Sequence, residues 1–214
     1  GYSVGDLSFA SLTIKGGTAD FGEAGIGGIN VTLNVTGDVS LTGGTSNSID
    51  PNNDVPNAAS AAYIAHDNNE GGMSGSLTMT VGGNLTLTGG SGISGIAVIG
   101  SGGAANVTLS VGGDLTATAG VGAVTIGSLA GLSDLPAATA YGGGSFVSVS
   151  ANNITLYGGV AGSSVLLIGS GNNRILFDGC DDGCHDIGTG PVNVELVAAR
   201  NLTINGQIGG VIVG

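Results

Sequence analysis

Residues 75–103, GSLTMTVGGNLTLTGGSGISGIAVIGSGG, decide the fold. Apolar residues alternate with Ser and Thr over residues 77–81 and again over residues 85–88, after two glycines and an asparagine. A third apolar segment, IAVIG, occupies residues 96–100. Alternation with a period of two, bounded by Gly and Asn, is typical of strands that are joined by turns. The stretch therefore predicts three short strands, which we name A, B and C in chain order.

The same motif recurs along the chain, and the recurrence predicts a repeat protein. Strand B begins at six positions: Leu12, Val39, Leu85, Leu115, Ile154 and Leu202. These starts are 27 to 48 residues apart, a spacing typical of solenoids. Strand A is predicted at residues 30–35, 77–81, 107–111, 146–150 and 192–197, and strand C at 61–65, 95–100, 123–127 and 165–169. We expect one all-β domain over residues 1–214, a single-stranded parallel β-helix (β-solenoid) of about six three-strand rungs.

Insertions between the strands predict loops mainly on one edge of this solenoid. They occupy residues 45–60, 66–75, 129–144 and 171–190, and the last three leave the same corner. Leu87 and Val98 are expected to face the interior. The Asn-x-Thr sequences at Asn30, Asn34, Asn106, Asn153 and Asn201 are interpreted as a stacked Asn/Thr ladder at one position of the rung.

Composition and charge exclude several functions. The net charge is −12, from 15 acidic and 3 basic residues, whereas nucleic acids and anionic membranes require clustered Lys and Arg. The sequence has no apolar run long enough for a transmembrane helix. The chain begins at Gly1 without Met, so we expect a mature or excised chain. Its Ser, Thr, Gly and Asn content favours an extracellular or cell-surface location.

The two ends of the sequence predict self-association. Residues 6–10 resemble strand A and residues 210–214 resemble strand C, and neither end carries a capping helix or a charged, Pro-bearing edge. Solenoid ends are normally capped against edge pairing. We therefore expect the partners of this chain to be copies of itself, stacked head to tail into a filament, because heterologous contacts that do not close generate filaments.

The repeats NVTLNVTGDVSLTGG, LTMTVGGNLTLTGG and VTLSVGGDLTATAG resemble those of bacterial secreted β-solenoids of the filamentous-haemagglutinin and autotransporter-adhesin type. The resemblance covers most of the chain between Ile29 and Ile168. It implies surface export and an adhesive or matrix role, with a surface glycan or a receptor as a further partner. It implies no catalytic chemistry.

The segment DGCDDGCHD at residues 178–186 is the most unusual one. It contains the only two cysteines, Cys180 and Cys184, and one of the two histidines, His185. In an exported protein this spacing indicates a local disulfide that fixes a loop. The alternative is a covalently attached c-type haem and an electron-transfer filament, since Cys-x-x-Cys-His binds haem, although here three residues separate the cysteines. His66, predicted at the same corner, is then the candidate second axial ligand.

Calcium is a further alternative for the same segment. Asp178, Asp181, Asp182 and Asp186 offer the oxygen ligands that Ca²⁺ prefers. The EF-hand and β-roll spacings are absent, and acidic loops are commonly just solvated. We therefore expect that the chain binds no cofactor.

Catalytic motifs are missing from the sequence. No G-x-S-x-G, H-E-x-x-H or P-loop spacing occurs. The predicted strands carry almost no charge apart from Glu195, so no pair of facing carboxylates is formed. We predict no catalytic residue and do not expect the chain to be an enzyme.

Overall fold

The computed structural model describes residues 4–19, 22–28, 30–47, 60–66, 75–101, 105–130, 145–160, 165–172 and 192–213. These residues form strands and no helix. The strands are β1 (Val4–Phe9), β2 (Leu12–Lys15), β3 (Ala24–Gly27), β4 (Asn30–Val35), β5 (Val39–Thr42), β6 (Ala62–His66), β7 (Gly75–Val81), β8 (Leu85–Thr88), β9 (Ala97–Ser101), β10 (Ala105–Val111), β11 (Leu115–Thr118), β12 (Val124–Ala130), β13 (Ser145–Tyr157), β14 (Leu166–Asn172), β15 (Val192–Asn205) and β16 (Val211–Val213).

The strands belong to two sheets, and every described pairing is parallel. The 10-stranded sheet has the order β1-β4-β7-β10-β13-β11-β8-β5-β2, with β15 also paired to β13. The 6-stranded sheet has the order β16-β14-β12-β9-β6-β3. Each strand thus pairs with the equivalent strand of the next repeat. We call each such repeat a unit: β1–β3 form the first unit, and β15 and β16 form the last.

The register places like residues on top of one another from unit to unit. The main core columns, in chain order, are Leu7, Leu33, Met79, Leu109, Val149 and Leu196; Leu12, Val39, Leu85, Leu115, Ile154 and Leu202; Ile14, Leu41, Leu87, Ala117, Leu156 and Ile204; Ala24, Ala62, Ala97, Val124, Leu166 and Val211; and Ile26, Ile64, Ile99, Ile126, Ile168 and Val213. A shift by one residue would turn every one of these side chains outward, so the alternating pattern fixes the face that is buried.

Small and branched aliphatic side chains fill the main core. Leu87 of β8 is 0% exposed, and its column neighbours Leu41 and Ala117 are equally buried. The residues that alternate with them along the strands, such as Thr86 and Thr116, face outward and contact solvent. Burial of a Leu or Ile side chain contributes about 1.5–3 kcal/mol, so the columns supply most of the stabilisation.

The predicted strands are largely confirmed, with one difference at the A–B corner. In the last two units strands A and B are continuous, as β13 and β15, with a register irregularity between Ala151 and Asn153. The corresponding corners of β4–β5, β7–β8 and β10–β11 contain glycine, whereas residues 151–153 and 199–201 contain none. Residues 10–11, between β1 and β2, also lack glycine although these two strands are separate, so the absence of glycine accompanies the continuous strands but is not sufficient for them.

The 6-stranded sheet differs from expectation because both of its faces are buried. Ile99 belongs to the main core, whereas Val98 belongs to a second cluster on the opposite face and is only 1% exposed. The cluster also contains Ala61, Ile96, Ala123, Val165 and Leu167. Val98 is therefore buried, as expected, but on the face of the sheet opposite to the main core that contains Leu87. Continuous apolar runs, in place of alternation, are the sequence signal of such strands.

The predicted insertions are shorter than expected where strands extend into them. β12 continues to Ala130 and β14 to Asn172, so the first two residues of the 129–144 and 171–190 insertions are strand. His66 ends β6 and Gly75 begins β7, so the 66–75 insertion is reduced to residues 67–74. Of the 45–60 insertion, residues 48–59 lie outside the described residues.

A column of glycines crosses the 6-stranded sheet. Gly100, Gly127 and Gly169 pair with one another in β9, β12 and β14. Their φ angles are 137°, 129° and 133°, in the region that residues with a Cβ rarely adopt. A Cβ on Gly127 would also collide with the carbonyl oxygen of Gly169. This column therefore requires glycine in three successive units.

Candidate functional site

Most of the sequence-predicted site residues lie outside the described residues: Cys180, Cys184, His185, Asp178, Asp181, Asp182 and Asp186. His66 is described at the end of β6, where its backbone pairs with Ser101 of β9. The disulfide, haem and calcium hypotheses therefore stay predictions. Within the described ranges there is no cluster of three or more His, Cys, Asp or Glu residues that could hold a metal ion. Those ranges also contain no helix with the length and apolar character needed to cross a membrane.

The open edges of the two sheets are the first notable surface. In the described part of the chain β15 pairs only with β13, and β16 pairs only with β14. At the other end β1, β2 and β3 each pair on one side only. An edge strand presents a row of N–H and C=O groups that can pair with another strand. β15, with 14 residues, is a long edge of this kind.

The core columns are exposed where they reach the edge of the last unit. Leu202 is 48% exposed and Ile204 is 52% exposed, whereas Leu85 and Leu87, which occupy the same columns further inside the sheet, are fully buried. At the opposite edge the columns end in Leu12 and Ile14. Both edges therefore end in apolar residues of matching size, in the same columns.

A ladder of Asp and Asn side chains runs along the A–B corner. Asp38 Oδ1 accepts the backbone N–H of Asn84 at 2.7 Å, and Asn84 Oδ1 accepts that of Asp114 at 2.9 Å. Asp114 Oδ1 accepts the backbone N–H of Asn153 at 3.2 Å and its Nδ2 at 2.8 Å. Asn201 Nδ2 donates to Asn153 Oδ1 at 2.9 Å. We call these five residues the corner ladder.

Backbone hydrogen bonds at the same corner run in the opposite direction, from an N–H group in one unit to a carbonyl group in the next. Val39 N–H donates to the Asn84 carbonyl at 2.8 Å, and Leu85 N–H donates to the Asp114 carbonyl at 2.9 Å. Leu12 N–H likewise donates to the Asp38 carbonyl at 3.1 Å. The side-chain acceptors thus face the following unit and the carbonyl acceptors face the preceding one. The corner ladder therefore has a direction along the stack of units.

The predicted Asn/Thr ladder is confirmed only in part. Asn153 and Asn201 stack in the corner ladder, but Asn30 and Asn106 both align with Ser76 at the start of strand A, and Asn34 aligns with Thr80. The five residues therefore occupy three positions of the unit. Asn84, which also begins an Asn-x-Thr sequence, was missed. Its place directly after a glycine pair, like that of Asp114, is the signal that identifies it.

Charges alternate with neutral amides in the corner ladder, and this predicts an effect of Asn84→Asp. The new carboxylate would lie between Asp38 and Asp114, with neighbouring units about 4.8 Å apart. We expect a loss of about 1–2 kcal/mol in the free energy of unfolding at neutral pH, because like charges directly opposite each other destabilise a sheet. Urea unfolding at low salt and at about 1 M salt measures this loss.

The matched control for Asn84→Asp is Asn34→Asp. Asn34 is exposed and its register partners Ser8 and Thr80 carry no charge, so its replacement is expected to leave the stability within about 0.5 kcal/mol of the original value. The loss caused by Asn84→Asp should shrink at about 1 M salt, because salt screens the repulsion between exposed charges. An equal loss at both salt concentrations would show that repulsion is not its cause.

Comparison of the chain with protein-family models, with curated proteins and with solved structures gives no match in any of the three. No family is assigned to the chain. The open edges, the core columns and the corner ladder are therefore the features from which a function has to be inferred.

Proposed function

We propose that the chain is a parallel β-solenoid of about six rungs and serves as a structural subunit of an extracellular filament or adhesin shaft. Copies stack head to tail through the open edges of the first and last units. The observation that carries this proposal is the match between the two edges: each core column begins and ends in aliphatic residues. At the last unit Leu202, Ile204 and Val213 are 48%, 52% and 41% exposed.

Stacking continues the register that already relates the six units. The Leu12 of a second copy would cover Leu202, its Ile14 would cover Ile204, and its Ile26 would cover Val213. Covering the exposed half of each such side chain contributes about 1 kcal/mol, and the edge of β15 gains backbone hydrogen bonds along its length. Six units at about 4.8 Å per strand spacing give a rise of about 29 Å per copy.

The outward faces are consistent with a structural role at a cell surface. Outward positions of the B segments form a row of hydroxyl side chains: Thr13, Ser40, Thr86, Thr116, Thr155 and Thr203. Charged residues make up only 8% of the chain. We propose that these faces are the lateral surface of the shaft and that the chain has no catalytic activity. The resemblance to secreted adhesins supports the same role.

The proposal predicts that Ile204→Lys prevents assembly. Ile204 is half-exposed in the single chain, so a lysine there reaches solvent and the fold is kept. In a stacked copy the ammonium group would be buried against the Ile14 column, at a cost of several kcal/mol. Sedimentation velocity and negative-stain electron microscopy of the full chain should show filaments for the original sequence and monomers for the variant. Salt near 0.15 M is needed because copies with a net charge of −12 repel one another.

Thr203→Lys is the matched control for this experiment. Thr203 lies next to Ile204 on the same strand but on the outward side. A lysine at position 203 therefore adds the same charge without entering the core columns. It is expected to leave filament formation intact. Loss of assembly in both variants would show that charge alone is responsible. Absence of assembly in the original chain at all concentrations would overturn the proposal.

A further inference from the structure

We propose that Asn201 helps to set the register between stacked copies, by accepting at Oδ1 the backbone N–H of Ser11 of a second copy. The inference rests on the proposed function, because it names the contact that aligns two edges in that assembly. It extends the corner ladder by one step, across the boundary between copies.

The direction of the existing steps identifies the two groups. In three steps, those that start at Asp38, Asn84 and Asp114, the Oδ1 of the ladder residue accepts the backbone N–H of the equivalent residue in the next unit. In the fourth step Asn153 Oδ1 accepts the side-chain Nδ2 of Asn201. Asn201 is the last ladder residue, and within the described residues its Oδ1 has no hydrogen-bond donor. Ser11 directly precedes Leu12, as Asp38 precedes Val39 and Asn201 precedes Leu202. In the described part of the chain the Ser11 N–H has no acceptor.

A second bond of the same type would form in the opposite direction. Leu12 N–H donates to the Asp38 carbonyl, and Val39 N–H donates to the Asn84 carbonyl. The equivalent donor of the last unit is Leu202 N–H, which lies on the open edge of β15 and faces the position of the Ser11 carbonyl in a second copy. The boundary would then repeat the two-bond step that joins the units within one chain.

The core columns and the corner ladder both favour this register. Leu202 and Ile204 are two residues apart, and so are Leu12 and Ile14. A slip of two residues would place Leu202 over Ile14, because the side-chain period of a strand is two residues, but it would also place Arg200 over Leu12 and Ile204 over Gly16. The same slip would separate Asn201 from Ser11. The hydrogen bonds of the corner ladder therefore add to the preference of the core columns for the proposed stacking.

Crosslinking between copies tests the register directly. In a Cys180→Ser/Cys184→Ser background, Thr13→Cys and Thr203→Cys introduce thiols at equivalent outward positions of the first and last units. In the proposed stacking they lie about 4.8 Å apart between copies, against about 24 Å within one chain. Filaments are treated with dibromobimane, a short thiol-to-thiol crosslinker, and covalent dimers are quantified on denaturing gels. Lys15→Cys replaces Thr13→Cys to report the slipped register.

We expect the Thr13/Thr203 pair to crosslink at least about tenfold more than the Lys15/Thr203 pair, because the core columns and one or two hydrogen bonds both favour this register. Adding Asn201→Ala should lower the ratio severalfold while filaments still form. Adding Asn201→Asp should keep the preference, since Asp38 and Asp114 act as acceptors at the same corner.

The outcomes separate this inference from the proposed function. Filaments that show equal crosslinking of both pairs with Asn201 in place, or a ratio that Asn201→Ala leaves unchanged, overturn the register role and leave the filament proposal standing. A chain that never assembles overturns both. Filaments that show the expected ratio and a severalfold decrease of that ratio in Asn201→Ala support the assignment of Asn201.

Discussion

A chain that carries Leu87→Asp is expected to be unfolded under conditions in which the original chain is fully folded. Leu87 is 0% exposed and lies in the middle of a core column, between Leu41 and Ala117. Loss of the leucine side chain costs about 2–5 kcal/mol, and an unpaired buried carboxylate costs several kcal/mol more. Their sum is comparable to the whole stability of a typical domain, about 5–15 kcal/mol.

Circular dichroism and limited proteolysis measure this effect, with Thr86→Asp as the control. Thr86 is the neighbouring residue on the same strand and is exposed on the outward side, so its replacement is expected to leave the β-sheet spectrum and the protease resistance almost unchanged. If Leu87→Asp unfolded cooperatively near the original urea midpoint, position 87 would not be part of the core.

Gly127→Ala is expected to cause the second-largest loss of stability among the predictions. The residue has a φ of 129°, a conformation that costs a residue with a Cβ about 1–3 kcal/mol. An alanine Cβ would also collide with the Gly169 carbonyl oxygen, so β12 and β14 would have to separate. We expect a total loss of about 2–4 kcal/mol.

Urea denaturation curves of Gly127→Ala and Gly210→Ala provide the measurement and its control. A Cβ on Gly210 would meet no atom within 4 Å, and the φ of this residue lies outside the left-handed region. Alanine at position 210 should therefore change the stability by no more than about 0.5 kcal/mol. Similar unfolding midpoints for both variants would refute the argument from φ and from the close contact. A loss confined to Gly127→Ala would support it.

Strands with strict alternation can be predicted from the sequence because one of their faces is buried and the other is wet. The alternation predicts a strand at residues 30–35, and β4 is found at Asn30–Val35. Valine and leucine point inward there, and threonine and asparagine point outward, so the pattern directly predicts which side chains are buried. β3, Ala24–Gly27, escapes prediction because two of its four residues are glycines and little alternation is left.

Other features depend on contacts that a strand pattern does not record. To predict which face of the 6-stranded sheet Val98 occupies, one has to know what covers the second face of that sheet. Alternation does not help, because it is lost in a strand that is buried on both sides. The Asn-x-Thr sequences point to the wrong residues for the corner ladder because they occur at three positions of the unit. Only the register shows that Asp38 and Asn84 stack. The candidate ligands near Cys180 lie outside the described residues, and their roles stay predictions.

The unit-to-unit pairing has a mechanical consequence. Among the described residues each strand pairs with its equivalents in the adjacent units, so the backbone bonds between units run along the direction in which the units stack. Tension along that direction would peel one unit from the next in sequence instead of shearing a whole sheet at once. The chain would lengthen in discrete steps, and units that carry long insertions would release the most slack, which would let the proposed shaft absorb a sudden pull without breaking.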